Sequence, residues 1–202
     1  MDTKETSIVF DYRALRLLMG IIAFSLPILV SIISSDRLTS ISASYYTEAR
    51  DVFVGMLFVV GAFMWGYNGH DNKQFWASKA AAVSAILVAV FPTSCDGCQS
   101  GIVSTSHYIS AAVLFSVLAY FCFRFFRKNI KGRPGKKARR SGIYIVCGTV
   151  MVACIIGLGA ANVLFSDELV SRLRLTYYGE MIALFAFGVA WMVSGKFTSL
   201  IA

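Results

Sequence analysis

Charge and histidine are both scarce in this chain. Charged residues fill 15% of its 202 positions, against about 25% in an average soluble domain. Hydrophobic residues reach 57%, above the usual ~45–50%. The apolar excess lies in blocks separated by short polar segments. That pattern excludes a disordered chain, a coiled coil and a disulfide-rich secreted module, and a soluble globular enzyme does not fit it. Only two histidines occur, so a metal site would need carboxylates in place of the missing imidazoles. No H-E-x-x-H, G-x-S-x-G or comparable catalytic spacing is found. No loop is long enough to hold an attached soluble domain.

What is present is a set of apolar runs of membrane-spanning length. A hydrocarbon core of about 30 Å takes about 20 helical residues, with a range of about 17–25. Six segments meet or approach that length: 17–34, 52–67, 75–91, 108–126, 142–165 and 176–195. The expected fold is therefore all-α, a single polytopic bundle of six transmembrane helices. A cleaved signal peptide over the first segment fits poorly. Its apolar run exceeds the ~7–15 residues of an ordinary signal core, and Ser40-Ile41-Ser42 is a weak cleavage site.

Orientation follows from lysine and arginine in short loops, which accumulate on the cytoplasmic side. With alternating spans, the N-terminal side holds Lys4, Arg13, Arg16, Lys73, Lys79, Lys196 and nine basic residues between Arg124 and Arg140. The other side holds Arg37, Arg50, Arg172 and Arg174. Both termini are therefore expected in the cytoplasm. Aromatic residues agree, since amphipathic rings favour both headgroup layers. Tyr45, Tyr46, Tyr108, Tyr177 and Tyr178 fall at outer ends, and Trp65, Tyr67, Trp76, Tyr144 and Trp191 towards inner ends.

Small residues mark close helix approach in membranes. Ala77, Ala81, Ala85 and Ala89 line one face of the third helix. Ala153, Gly157 and Ala161 do so on the fifth, and Ala186 and Ala190 on the sixth. These helices are expected to form the tight interior, with a homodimer seam as the alternative. Pro27 removes a backbone donor from the first helix and should kink it. Tyr45-Tyr46-Thr47-Glu48 echoes Tyr177-Tyr178-Gly179-Glu180, but those helices run the same way, four spans apart. An inverted three-plus-three repeat does not follow.

The outer face gathers the chemistry. Glu48, Arg50 and Asp51 stand at the outer end of helix two, His107 at that of helix four and Asn162 near that of helix five. Arg172 and Arg174 precede helix six, and Glu180 lies about one turn inside it. An ionisable side chain within a span is costly and faces an interior or a water-filled cavity. Glu180 is thus the first candidate, with Arg50 or Arg174 as its partner and Tyr177 on the same helix face. The structural alternative is an interfacial ion pair that fixes packing. His107 follows Ser104, Thr105 and Ser106, which invites a lipid-hydrolase reading, against that of a helix-capping histidine.

Cys122, Cys147 and Cys154 lie in or near spans and read as small apolar packing residues. Cys95 and Cys98 share a loop expected to face outside. A local disulfide and a redox pair both suit their spacing. Outside relay cysteines are missing, which favours the disulfide. A four-cysteine zinc site is ruled out by topology, and no metal or other cofactor is expected.

The stretch between Arg124 and Arg140 carries no negative charge. Arg127, Lys128, Lys131, Arg133, Lys136, Lys137, Arg139 and Arg140 suit anionic lipid headgroups, at about 1 kcal/mol per residue near the surface. As a topogenic signal alone the stretch also needs no ligand. Gly132 and Pro134-Gly135 mark a turn within it. Nucleic acid is not an expected partner, because the run lacks a folded scaffold.

Certain short stretches also show a likeness. Ser40-Ile41-Ser42-Ala43-Ser44-Tyr45-Tyr46, then Arg50-Asp51-Val52-Phe53-Val54-Gly55, Tyr67-Asn68-Gly69, Val88-Ala89-Val90-Phe91-Pro92 and His107 with its small-residue run resemble a family of bacterial multi-pass membrane proteins of unknown function. The resemblance covers roughly residues 15 to 195. It implies a six- or seven-helix bundle in the bacterial inner membrane, and no activity. The expected function is non-enzymatic binding of a lipid or small solute in an outer-facing polar pocket. Glu180, Arg50, Asp51, His107, Glu48 and Arg174 would line it, from helices two, four and six. The alternatives are a membrane-embedded hydrolase of lipid headgroups, a thiol oxidoreductase, or an oligomeric channel or transporter. Membrane lipids are the expected partners, and a homo-oligomer stays open.

Overall fold

The computed structural model of the chain describes residues 12–69, 71–95, 101–128, 130 and 134–195. Among the described residues the fold is all-helical. The α-helices are α1 (Tyr12–Ile33), α2 (Arg50–Gly66), α3 (Asn72–Val90), α4 (Ile102–Tyr120), α5 (Lys136–Leu164), α6 (Asp167–Arg172) and α7 (Leu175–Ser194). A 3-10 turn, Ser42–Tyr46, lies between α1 and α2, and a π-helical segment, Phe121–Phe125, prolongs α4. Four helices are long and apolar enough to cross a membrane by length and composition: α1, α4 with its π extension, α5 and α7. α2 has 17 residues, and α3 is diluted by Lys73, Gln74, Ser78, Lys79 and Ser84, so both fall short of that measure.

Local chemistry explains the element ends. Asp71 caps α3, its carboxylate accepting from the Gln74 amide at 2.9 Å, which satisfies one of the orphan donors of a first turn. Pro92 follows the last residues of α3 and cannot continue it. The largest departure from expectation is α5. It begins at Lys136, so Lys136, Lys137, Arg139 and Arg140 stand on its first turns and not in a loop. Gly135, at φ 69°, turns the chain into the helix, a conformation glycine adopts freely. Lysine and arginine are good helix formers. The short helix α6 falls between the expected spans. Its Ser166 cap accepts from Leu169 N at 3.4 Å, and Asp167 and Glu168 suit the positive end of its dipole. α1 runs through Pro27 as one helix.

Packing arranges six helices in a closed ring. α1 packs on α2, α2 on α3, α3 on α4, α4 on α5, α5 on α7, and α7 back on α1. The closing contact is the tightest. A Cβ built on Gly20 would lie 3.0 Å from the Gly188 carbonyl, and one on Gly188 would lie 3.2 Å from the Gly20 carbonyl. The small-residue stripe of α3 is buried at Ala81, Ala85 and Ala89, and that of α7 at Ala190. The stripe of α5 departs from the expected interior role. Ala153 and Gly157 are exposed, and only Ala161 is buried. α5 turns Gly148, not Gly157, to a neighbour, where a Cβ would meet the Phe123 ring at 2.8 Å.

The aromatic pattern also divides. Trp65 and Trp76 are exposed, as headgroup-layer residues would be. Tyr67, Tyr144 and Trp191 are buried instead. Trp191 packs against Tyr67, Phe121, Phe126 and Phe187 at centroid distances of 5.4–6.0 Å, in the range of favourable edge and tilted ring pairs. At one end of the ring, then, the core is aromatic.

The glycine crossing sets a test. Gly20→Ala should lower the stability of the purified protein by about 1–3 kcal/mol, the usual cost of overpacking. Gly157→Ala, with nothing within 4 Å of the new methyl, should leave it unchanged or raise it by up to ~1 kcal/mol. Denaturant unfolding in detergent measures both. Equal effects would rule out the crossing as the tight contact.

Candidate functional site

The end of the bundle where α1 stops and α7 starts is covered by the segment from residue 34 to residue 49, and polar side chains hold it there. The Ser42–Tyr46 turn begins with amides that have no partner within it, as every helical start does. Glu180, in the second turn of α7, supplies the acceptor. Its carboxylate takes Ile41 N at 2.5 Å, Ser42 N at 3.3 Å and Ser42 Oγ at 3.1 Å. Hydrogen bonds to a charged group contribute about 1.5–3 kcal/mol each. The expected ion pair with Arg50 or Arg174 is not formed. Among the described residues the ion pair is Lys128–Asp71, at 2.9 Å. Amides at a turn start are nearer to hand for the carboxylate than either guanidinium.

Arg174 serves the same segment by another route. Its Nε donates to Leu38 O at 2.6 Å, and its guanidinium lies 3.9 Å from the Tyr177 ring centroid. It sits in the left-handed region at φ 52°, which costs a non-glycine residue about 1–2 kcal/mol. The two contacts offset that strain. Tyr177 completes the clasp, its amide donating to Thr39 O at 3.0 Å and its hydroxyl meeting Ser31 Oγ at 2.6 Å.

The remaining candidates lie on separate contacts. Glu48 accepts from Ser35 N and Ser35 Oγ, both at 3.2 Å. Its own amide and then those Ser35 donors hold its carboxyl below the usual range. Arg50 donates to Tyr45 Oη at 2.9 Å and stacks 4.5 Å from that ring's centroid. Asp51 is exposed in the first turn of α2, where a carboxylate suits the dipole. His107 is 2% exposed, and its Nδ1 lies 2.7 Å from Phe91 O, the carbonyl that ends α3. Asn162 Nδ2 donates to Leu158 O at 2.7 Å within α5. The structure thus brings Glu180 and Arg174 together on residues 38–42. It sets Glu48 on Ser35, Arg50 on Tyr45 and His107 on Phe91.

Cys95 is disulfide-bonded, while Cys98 lies outside the described residues. Cys122 and Cys147 are buried free thiols, and Cys154 is half-buried. Of the basic stretch, Arg127 Nε donates to Ser141 Oγ at 3.0 Å, and Lys136, Lys137 and Arg139 are exposed. Lys131 and Arg133 lie outside the described residues. Among the described residues no group of three or more histidine, cysteine, aspartate or glutamate side chains is placed to hold a metal ion.

The opposite end holds a feature that sequence reasoning misses. There a cavity of about 240 Å³ has a lining that includes Arg16, Tyr67, Gln74, Phe126, Arg140 and Tyr144. In the sequence Arg16 reads as a flanking charge, but α1 begins at Tyr12. Set against family models, curated proteins and solved structures, the chain matches none of them. Residue roles therefore rest on this geometry alone.

Two carboxylates outside the helices predict an acid response. The Lys128 ammonium, then the Gln74 amide, hold the Asp71 carboxyl below its usual range, as Ser35 helps to do for Glu48. The stability they contribute is present above the ordinary carboxylate range, about pH 4. It is lost as pH falls through their lowered values. The melting temperature should therefore drop on acidification below about pH 4, and the drop should be shallower in a Glu48→Gln, Asp71→Asn double variant. Identical profiles would show that other groups carry the acid response.

Proposed function

We propose that the chain is a six-span protein of the bacterial inner membrane, with both termini cytoplasmic, that binds a lipid or small solute at its outer face without transforming it. The ring supports counting α2 and α3 among the spans, because both are integral members of it and lie between helices that meet the length and composition for crossing. The excess of lysine and arginine on the N-terminal side supports the orientation.

The observation that carries the binding reading is Glu180. It is a carboxylate inside a span whose partners are donors of a loop and not a cation. Such a latch is reversible. A ligand with hydrogen-bond donors can take the place of Ile41 and Ser42, and residues 38–42 then act as a cover. Glu180 and Arg174 are the binding residues closest to it, and Glu48, Arg50, Asp51 and His107 set its surroundings. Hydrolysis of lipid headgroups is the weaker reading. His107 spends Nδ1 on Phe91 O, and its hydrogen bonds include no serine, cysteine or carboxylate.

Native mass spectrometry of the detergent-purified protein tests this reading. A retained adduct should be lost in Glu180→Gln and weakened in Arg50→Ala. Cysteine placed at Ser42 should label about 10- to 100-fold faster in the Glu180→Gln background, as the loss of about 1.5–3 kcal/mol of charge-assisted bonding implies. Unchanged retention in both variants would sink the outer site. A carboxy-terminal reporter active only outside the cytoplasm would sink the orientation.

A further inference from the structure

A groove runs along the outside of the ring between α2 and α3. Its volume is about 650 Å³, within the ~300–1,000 Å³ of sites that take a small ligand. The lining includes Trp65 from α2 and Phe75, Trp76, Lys79, Ala80 and Val83 from α3. The walls are almost wholly apolar, and Lys79 is the one charged residue in them. One side is open, since Trp65 is 57% and Trp76 69% exposed. The aromatic end lies where α2 stops and α3 starts, and Ala80 and Val83 carry the groove on along α3. Lys79 is held at that aromatic end. Its ammonium lies 5.3 Å from the Trp65 ring centroid and 4.6 Å from that of Phe75, a favourable setting for a cation. Its Nζ donates to Trp65 O and, at 3.1 Å, to Asn68 Oδ1. Both acceptors are neutral, and an ammonium has a third donor. Lys73 shares a face of α3 with Trp76 and Ala80, three and seven residues on, and all three are exposed. Asp71, which caps the same helix, accepts from Lys128 and from the Gln74 amide.

We propose that this groove binds an anionic phospholipid, with an acyl chain along Ala80 and Val83 and the headgroup phosphate at Lys79. An apolar channel that ends on a cation matches such a molecule in both its parts. Indole rings favour the headgroup layer, and lysines there attract anionic lipids. Lys73, nearer the start of α3, adds a second cation to the same layer. A partner helix fits less well. Helices in lipid meet through small residues, and two exposed indoles keep another backbone away. A flexible chain can follow such a wall. The open side suits an occupant that already lies in the bilayer. The proposal rests on α2 and α3 lying in the membrane. It does not rest on the Glu180 site, which stands at the opposite end of the ring.

Trp65 and Trp76 are two of the chain's three tryptophans, and the third, Trp191, is buried. Tryptophan fluorescence therefore reads the groove directly. The full chain is placed in vesicles of phosphatidylcholine that carry a small fraction of brominated phosphatidylglycerol or brominated phosphatidylcholine, whose bromines quench tryptophan on contact. The anionic lipid should compete for the groove about fivefold better than the zwitterionic one, the pull of one lysine on an anionic headgroup. That preference should be lost in Lys79→Gln and kept in Lys79→Arg. Lys79 also ties α3 to the end of α2, so Ala80→Phe is a second variant. It fills the groove without changing charge, and should abolish the preference too. Lys137→Gln, exposed on the first turn of α5, should leave it unchanged. Equal quenching by the two lipids in the wild type, or an equal loss in Lys79→Gln and Lys137→Gln, overturns the proposal and leaves the spans standing. Quenching by neither lipid overturns it as well. With a disulfide-linked dimer of Ala80→Cys the occupant is then a second copy, and without one α2 and α3 do not lie in the membrane.

Discussion

The approach of α1 to α7 at Gly20 and Gly188 is the contact on which both ends of the molecule depend. The two helices meet there with backbone nearly touching backbone, which two larger residues would prevent. Closing the ring at that point sets the start of α7 beside the segment that leaves α1, and the start of α1 beside the end of α7. The first juxtaposition lets Glu180, Arg174 and Tyr177 reach residues 38–42. The second lets Arg13 Nε donate to Gly195 O at 3.1 Å and brings Arg16 alongside Ser194. In lipid the driving force for this contact is close packing and not exclusion of water. The crossing must therefore be tight to be stable.

Backbone groups, more than ion pairs, decide where the polar side chains go. Glu180 satisfies amides, Arg174 and Arg13 satisfy carbonyls, and His107 meets the carbonyl that ends α3. Each of these lies where a helix or turn starts or stops, and there the main chain has donors or acceptors to spare. An unmet group near a membrane costs several kcal/mol, more than an exposed ion pair returns. That ordering accounts for the local clasps formed by Glu180 and Arg174.

The same ordering sets how much of the molecule is legible in the sequence. The helices α1, α4, α5 and α7 are readable because an apolar run of spanning length suits little besides a membrane helix. Glu180 is readable as the deepest carboxylate. Its partners are not, because Ile41 and Ser42 act through backbone amides, which every residue has and no composition reveals. The Gly20–Gly188 crossing is hidden because each helix supplies one glycine, and single glycines make no repeat. The stripe Ala153, Gly157 and Ala161 does make a repeat, yet two of its members face outward. Spacing shows which residues share a face, but not which face turns inward. Arg16 escapes a sequence reading because α1 starts five residues before the apolar run.

A charge inside a helical bundle needs either a partner or a purpose. Glu180 and Arg16 lie on the two helices that close the ring, α7 and α1, but at opposite ends, too far apart to pair. Glu180 has found three donors within the chain. Arg16 has found one acceptor and two rings, and one of its donors remains buried and unmet. An aromatic cage of Tyr67, Phe121, Phe126 and Trp191 surrounds that end and holds the guanidinium where it is. Rigid surroundings deny the side chain the usual escape of turning towards water. The asymmetry between a satisfied acid and an unsatisfied base is thus built into the packing of the ring.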